Sequence, residues 1–322
     1  MKKLFLLSVF LFGTVAMGWA QMDPSYIAVE VNSGKVLYST NAEAKRPIAS
    51  LAQVATALVA LDWANRTSAE LNTVITIPQD AYAVTSVGNP MRLKPGDRIT
   101  LRDALYSCLL GADNVSALTV ASYVGRDLVY RRGGGSPIGQ FIKEMNNLAA
   151  GIGMKKTVFV SPHGMDSRSG ANESCAVDLA LLGSYAMQNP AFSFIVRQSS
   201  RRIGVETATE GTQYYNVVNT NSLLNQSGVD GIKTGSSRVA GPCLLLSAIR
   251  QSVARKDAKT GRDNIYPQRL VIVVLGSEQR FSIARSLIRE GWRDWDRWQT
   301  NGMQTTSIKD YLKMPTASPN KK

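Results

Sequence analysis

Apolar and polar residues alternate from Tyr26 to Glu30 and again from Lys35 to Ser39, on either side of Asn32-Ser33-Gly34. A period of two broken by a short Asn/Gly turn predicts a β-hairpin. At Ser50 the period lengthens: Leu51, Val54, Ala55, Leu58 and Val59 recur at helical spacing, with Pro47 just ahead and Asn65 behind. That pattern predicts a buried helix with Ser50 in its first turn, where unpaired backbone N–H groups and the positive dipole end favour negative charge. Ala104 to Ala121 reads as helical turns broken at Gly111-Ala112-Asp113-Asn114, a break that predicts a loop pointing into a cleft. Leu244 to Ile249 and Leu270 to Leu275 are short apolar, β-rich runs. They predict neighbouring strands joined by a long basic loop from Gln251 to Gln268, with Lys233-Thr234-Gly235 opening the strand before them. Arg131-Arg132-Gly133-Gly134-Gly135-Ser136 predicts a flexible surface loop, and without a following Lys-Ser/Thr its glycines do not make a phosphate-binding loop.

The two ends of the chain read differently. Lys2 and Lys3 precede an apolar run from Leu4 to Val15, and Gly18-Trp19-Ala20 supplies small residues near a cleavage point. The expectation is a signal peptide over residues 1–20, cleaved after Ala20, and export to the periplasm or cell envelope. An uncleaved anchor is the alternative, against which stands a run shorter than the roughly 20 residues a bilayer core requires. Near the other end, Trp292, Trp295 and Trp298 recur among Arg289, Arg293 and Arg297. Two readings stay open: a helix from Phe281 onward packed on the sheet with Trp292 in the core, or an aromatic and basic face for a membrane surface. Residues 299–322 form a polar tail, expected to be disordered.

Composition narrows the chemistry. The 37 basic residues outnumber 24 acidic ones, a net charge of +13. These cations are scattered instead of forming one dense run, so nucleic acid is not the expected partner; peripheral attraction to anionic membrane or wall polymers is. Three cysteines with no C-x-x-C spacing and one histidine exclude a disulfide framework and a zinc site, and no metal or cofactor is expected. Cys108 and Cys243 lie in apolar runs as buried small hydrophobes, which leaves Cys175 as the expected exposed thiol. His163 would need Ser50 and a carboxylate behind it to act in a Ser-His-Asp arrangement.

Three segments carry candidate chemistry. Gly231-Ile232-Lys233-Thr234-Gly235-Ser236 contains K-T-G; Ser50-Leu51-Ala52-Gln53 has the layout of S-x-x-K with glutamine in place of lysine; Ala112-Asp113-Asn114 is S-D-N without its serine. Together these are the signature of penicillin-recognising serine acyl enzymes. Leu93-Lys94-Pro95-Gly96-Asp97, Gly153-Met154, Ser161-Pro162-His163-Gly164-Met165-Asp166, Val229-Asp230 and Val273-Val274-Leu275-Gly276 follow the same family's order. From about residue 23 to 298 the chain resembles the D-alanyl-D-alanine carboxypeptidases, the low-molecular-mass penicillin-binding proteins of serine type, with degenerate S-x-x-K and S-x-N motifs.

The resemblance implies an α/β (α+β) class and the penicillin-binding, transpeptidase-like fold: an antiparallel sheet flanked by helices, built by both chain ends, with an inserted helical subdomain over roughly 67–165 in a domain of 21–298. Gly276 to Lys322 leaves no room for the second, β-rich domain of many relatives. It implies Ser50 as nucleophile, Asn114 as holder of the peptide amide, and Lys233, Thr234 and Gly235 as the substrate strand, with Arg269 a weaker carboxylate candidate. Ser50 and Ser236 would supply the oxyanion-hole amides. The implied partners are peptidoglycan stem peptides ending in D-Ala-D-Ala, and β-lactams. Gln53 has no useful basicity and Ala112 no hydroxyl, so the expected function is stem-peptide recognition with lost or very weak catalysis. The alternative is an active carboxypeptidase with Lys233 as base. A β-lactamase fits less well, because no Glu-x-x-Leu-Asn run supplies a deacylating carboxylate.

Overall fold

The structure is a computed structural model, and it describes residues 23–166, 170–256, 261, 263–303, 307 and 310–316. The leader expected over residues 1–20 lies outside the described residues. The predicted hairpin is present as β1 (Ser25–Glu30) and β2 (Val36–Thr40). β1 also pairs with β11 (Asp263–Leu275), β11 with β10 (Gly241–Lys256), and β10 with β9 (Val229–Ser237). The result is a five-stranded antiparallel sheet of order β2-β1-β11-β10-β9, so both ends of the chain meet in one sheet and β9 is an edge.

The apolar runs in β1, β10 and β11 exist because both faces of the sheet are covered. Ile27, Val29, Leu245, Val271 and Val273 face the core shared with α1 (Gln53–Thr67) and α5 (Ala176–Gln188). Ala28, Leu244, Leu246, Ile272 and Val274 face α7 (Arg280–Thr300). α1 is buried nearly all round, as a central helix must be. It ends where Ser68 turns left-handed and its Trp63 indole donates to Asp127 at 2.7 Å. That aspartate lies on α3 (Asn114–Arg132), which packs with α2 (Leu101–Gly111) and α4 (Pro137–Gly151).

A second sheet joins residues inside the 67–165 stretch to residues beyond it. This four-stranded sheet, β4-β5-β7-β8, combines β4 (Val74–Thr76) and β5 (Arg98–Thr100) with β7 (Ser200–Thr207) and β8 (Gly211–Val218). A two-stranded pair, β3 (Arg46–Pro47) with β6 (Glu173–Ser174), and the short α6 (Pro190–Val196) complete the elements.

Four expectations change. The described residues at either end of the expected Gln251 to Gln268 loop are strand: past a bulge between Arg250 and Val253, β10 and β11 stay paired as far as Lys256 opposite Asp263. α7 packs on the sheet, but its deepest aromatic is Trp295; Trp292 is half-buried under the Arg250 guanidinium, 4.3 Å from its ring. Cys175 is buried, as are Cys108 and Cys243, and all three thiols are free. The polar tail is docked over 310–316: Tyr311 bridges to Lys35, the Leu312 amide donates to Gly34 O at 2.8 Å, and Gln188 donates to Pro315 O at 2.8 Å. Leu312 and Met314 are the apolar reason, since both lie against the main core.

Gly34 is where this strap meets the hairpin. Its φ is +76°, and a Cβ there would sit 2.1 Å from Leu312 O. Gly34→Ala is expected to lose at least about 1–2 kcal/mol of stability from the left-handed backbone alone and to free the strap. Chemical denaturation reads the first effect, and faster amide exchange at Leu312 the second.

Candidate active-site cleft

Ser50 does not open the α-helix directly. It sits in a 3₁₀ turn, Ala49–Ala52, that runs into α1. Two glycines make room for this turn. A Cβ on Gly235 would lie 3.1 Å from the amide nitrogens of Ser50 and Leu51, and one on Gly164 would lie 2.1 Å from Ala49 O. The edge of β9 and the Ser161–Asp166 turn are thus both pressed against the backbone that carries Ser50.

The register of β9 fixes which groups face this turn. Ser236 lies opposite Pro242, whose carbonyl is taken by the Ser277 amide at 3.0 Å. Ser236 therefore belongs to a non-hydrogen-bonded pair, and its N–H turns away from β10 toward the open edge. Thr234, two residues earlier, shares that phase. Gly235, between these two residues, is where the β9 edge meets the backbone of Ser50.

Beneath Ser50 lies Gln53, fully buried. Its Nε2 donates to Asn114 Oδ1 and to His163 O, both at 3.1 Å. Asn114 Nδ2 in turn donates to Val87 O at 2.9 Å, and the Asn114 amide to Gly88 O at 2.6 Å. The two side-chain amides cannot be turned round, because Val87 O and His163 O are backbone acceptors and a flip would set oxygen against oxygen. Gln53 Oε1 is left sealed from solvent with no partner, a defect worth about 1–3 kcal/mol. Asn114, the expected peptide-amide holder, lies under the Val87-Gly88 segment with part of its hydrogen-bonding capacity already used.

Ala112 and Asp113 explain the helix break. Ala112 adopts φ 55° and closes α2, with its amide bonded to Ser107 O. Asp113 caps α3 by accepting from the Ser116 amide at 2.8 Å, and burial raises its carboxyl to about 6. His163 accepts from the Met165 amide through Nδ1 at 3.0 Å. Burial pushes its pKa down to about 4, so it stays neutral and shapes its own turn, which Asp166 ties to Val239 N across the mouth of the cleft at 3.3 Å.

Lys233 is 1% exposed and donates from Nζ to Thr234 O at 2.8 Å. Burial lowers its pKa to about 8, with Arg280 adding to the effect and Cys108 opposing it. The hydroxyl of Ser50 makes no hydrogen bond among the described residues, to Lys233 or to anything else. Thr234 shares a 2.6 Å hydroxyl contact with Thr220.

The structure does not bring Arg269 to the cleft. It pairs with Ile249, whereas Thr234 pairs with Leu244, five strand positions or roughly 17 Å apart along β10. Its guanidinium binds both carboxylate oxygens of Asp230 at 3.0 Å and the Ser247 hydroxyl. The arginine at the strand is Arg280, unassigned by the sequence, donating to Gly235 O at 2.9 Å. Its one sequence signal is its position: the first residue of the helix after an interior strand, a few residues beyond Gly276.

A sequence profile described as D-alanyl-D-alanine carboxypeptidase matches residues 20–256. The chain is 29% identical to DacC of Escherichia coli over 84% of its own length and 61% of that protein's. It is 31% identical to a D-alanyl-D-alanine carboxypeptidase of Streptomyces sp., over 69% of this chain and 75% of that one. Against Escherichia coli DacA the identity is 30%, over 73% of this chain and 55% of that one. The chain thus spans little more than half the length of some curated relatives. Among solved structures, a Streptomyces DD-transpeptidase superposes with a TM-score of 0.69 at 28% identity, covering 83% of this chain and 96% of that one. A cefotaxime-bound penicillin-binding protein from Listeria monocytogenes superposes at 0.62 and 26% identity, with the same coverage of each chain.

A buried ammonium with one hydrogen bond is a strain on the fold. Lys233→Met, which keeps length and drops charge, is expected to raise stability at pH 7. From about pH 8 to 10.5 the folded lysine has lost its proton while the unfolded one retains it, so wild-type stability gains over that interval and the variant's advantage shrinks. Urea unfolding of both proteins at pH 7, 9 and 11 measures the gap.

Proposed function

The chain belongs to the D-alanyl-D-alanine carboxypeptidase family, and within it we propose a cell-envelope protein whose cleft recognises peptidoglycan stem peptides ending in D-Ala-D-Ala but has lost serine acyl-enzyme turnover. The observation that carries this reading is the Gln53 amide, both of whose protons are committed to Asn114 and His163. Acylation of a serine requires a group that takes the hydroxyl proton as the oxygen attacks. An amide has no basicity for that step, and its remaining oxygen is sealed from solvent. Ala112, at the position of the triplet serine, offers no hydroxyl to pass a proton to a departing amine.

Magnitudes favour recognition over chemistry. A positioned general base contributes typically ~10²–10⁴-fold in rate. With base and shuttle both replaced, only the Ser50 and Ser236 amides and the binding groups remain to lower the barrier. Binding fares better: Lys233 and Arg280 keep positive charge at the K-T-G strand, where a terminal carboxylate would gain charge-assisted hydrogen bonds of roughly 1.5–3 kcal/mol.

One observation favours the alternative of an active enzyme with Lys233 as base. Its pKa of about 8 puts a fraction of the lysine in the neutral form near neutral pH. Against it, Nζ is engaged with Thr234 O and no hydrogen bond links it to Ser50.

Labelling with a fluorescent penicillin separates the two. The unmodified chain is expected to take no label; Gln53→Lys should label slowly, since a neutral amine keeps two donors for Asn114 and His163 O and adds the basic lone pair that the amide lacks; adding Ala112→Ser should do more than either change alone, because base and shuttle act as a unit. Rapid labelling of the unmodified chain, abolished by Ser50→Ala and by Lys233→Ala, would establish the Lys233 enzyme instead. Export has its own test. Mature protein from an envelope fraction is expected to begin at Gln21 and to come off in mild salt, whereas an intact Met1 released only by detergent would mean that the leader anchors it.

A further inference from the structure

We infer that Thr220 is a positioning residue that holds the hydroxyl proton of Thr234 away from the cleft, so that a ligand carboxylate must first reverse a short hydrogen-bond chain running to the end of α2. The inference rests on the proposed reading of the cleft as a carboxylate-binding site. Thr220 Oγ1 lies 2.6 Å from Thr234 Oγ1 and 3.1 Å from Leu110 O. A hydroxyl owns one proton, and Leu110 O is an acceptor only. Two arrangements are available. If Thr220 donates to Leu110 O, Thr234 donates to Thr220, and both protons are used. If Thr220 donates to Thr234 instead, Leu110 O loses the hydroxyl, and the Thr234 proton has no protein acceptor among the described residues although Thr234 is only 5% exposed.

The first arrangement keeps both hydroxyl protons in protein hydrogen bonds and the second keeps only one, so the free protein adopts the first. Thr234 then offers the cleft lone pairs and no proton. A carboxylate is an acceptor and meets the wrong polarity until the Thr220 hydroxyl rotates off Leu110 O. The bond that must break is anchored beside Gly111 and Ala112, so the direction of the Thr234 proton is linked to the loop that replaces the S-D-N serine. Thr220 is exposed and its backbone amide also donates to Leu110 O at 3.1 Å. The segment therefore stays docked when the hydroxyl is removed, and Thr220→Val tests proton direction without dismantling the site.

Calorimetric titration with N-acetyl-D-alanyl-D-alanine and with its C-terminal amide, on wild type, Thr220→Val and Thr220→Ser, reads the consequence. Thr220→Val is expected to bind the carboxylate about three- to tenfold more tightly, the worth of one neutral hydrogen bond no longer broken, with no gain for the amide. Thr220→Ser keeps the hydroxyl and should match wild type. Weaker or unchanged carboxylate binding in Thr220→Val, or an equal gain for both ligands, overturns the inference. NMR of the hydroxyl protons in the ligand-free protein decides it independently. A slowly exchanging Thr234 hydroxyl directed at Thr220, and lost in Thr220→Val, supports it; a proton donated by Thr220 to Thr234 refutes it. Absence of binding by every variant, with the NMR result as expected, would remove the carboxylate-site reading and leave the proton assignment standing.

Discussion

Two backbone carbonyls, those of Val87 and His163, set the polarity of the cleft floor. Each is an acceptor that cannot reorient, so each dictates which end of a neighbouring side-chain amide faces it. Val87 O fixes Asn114, Asn114 Oδ1 then faces Gln53, and His163 O makes the same demand of Gln53 from the other side. Both carbonyls stand where they do because glycines follow them. Gly88 and Gly164 have positive φ, and a Cβ on either would run into Asn114 or the backbone carrying Ser50. The helical subdomain, the Ser161–Asp166 turn and α1 are therefore joined at one buried glutamine. The fourth position of the Ser50-Leu51-Ala52-Gln53 segment is here a structural junction between three parts of the chain.

The same economy governs the rest of the cleft. Thr234 is engaged with Thr220, Lys233 with Thr234 O, Asn114 with Val87 and Gln53. The polar side chains that would meet a ligand are partly satisfied within the protein, and what remains in surplus is the positive charge of Lys233 and Arg280. The cost of this arrangement sits in the buried Lys233 and in the unpartnered Gln53 Oε1, which the packed five-stranded sheet beneath must carry.

Much of this was legible in the chain because periodicity reports burial. The β1–β2 hairpin, the helix after Ser50, the break at Gly111 to Asn114 and the strand segments Leu244 to Ile249 and Leu270 to Leu275 all follow from apolar spacing. What escaped were features decided by long-range contact. The paired stretches at residues 251–254 and 265–267 are exposed and carry no alternation that would mark them as strand. Leu312 and Met314 are isolated apolar residues in a polar tail, and the core surface they lie against is assembled only by folding. Among the arginines, Arg269 was the expected carboxylate candidate, yet Asp230 claims it; Arg280 has only its place at the start of α7 as a signal, and the turn after Gly276 delivers it to β9. Cys175 sits in no apolar run and is buried all the same, because it precedes α5 at the join to the two-stranded β3–β6 pair.

The claim on which the account turns is that both Nε2 protons of Gln53 are held by Asn114 and His163. Isotope-edited NMR of that side-chain amide tests it most directly. The account predicts two well-separated, slowly exchanging proton resonances, with cross-relaxation to Asn114 and to the His163–Gly164 backbone. A rapidly exchanging pair with averaged shifts would contradict it, because a free Gln53 amide would no longer be the junction that sets the polarity of the cleft.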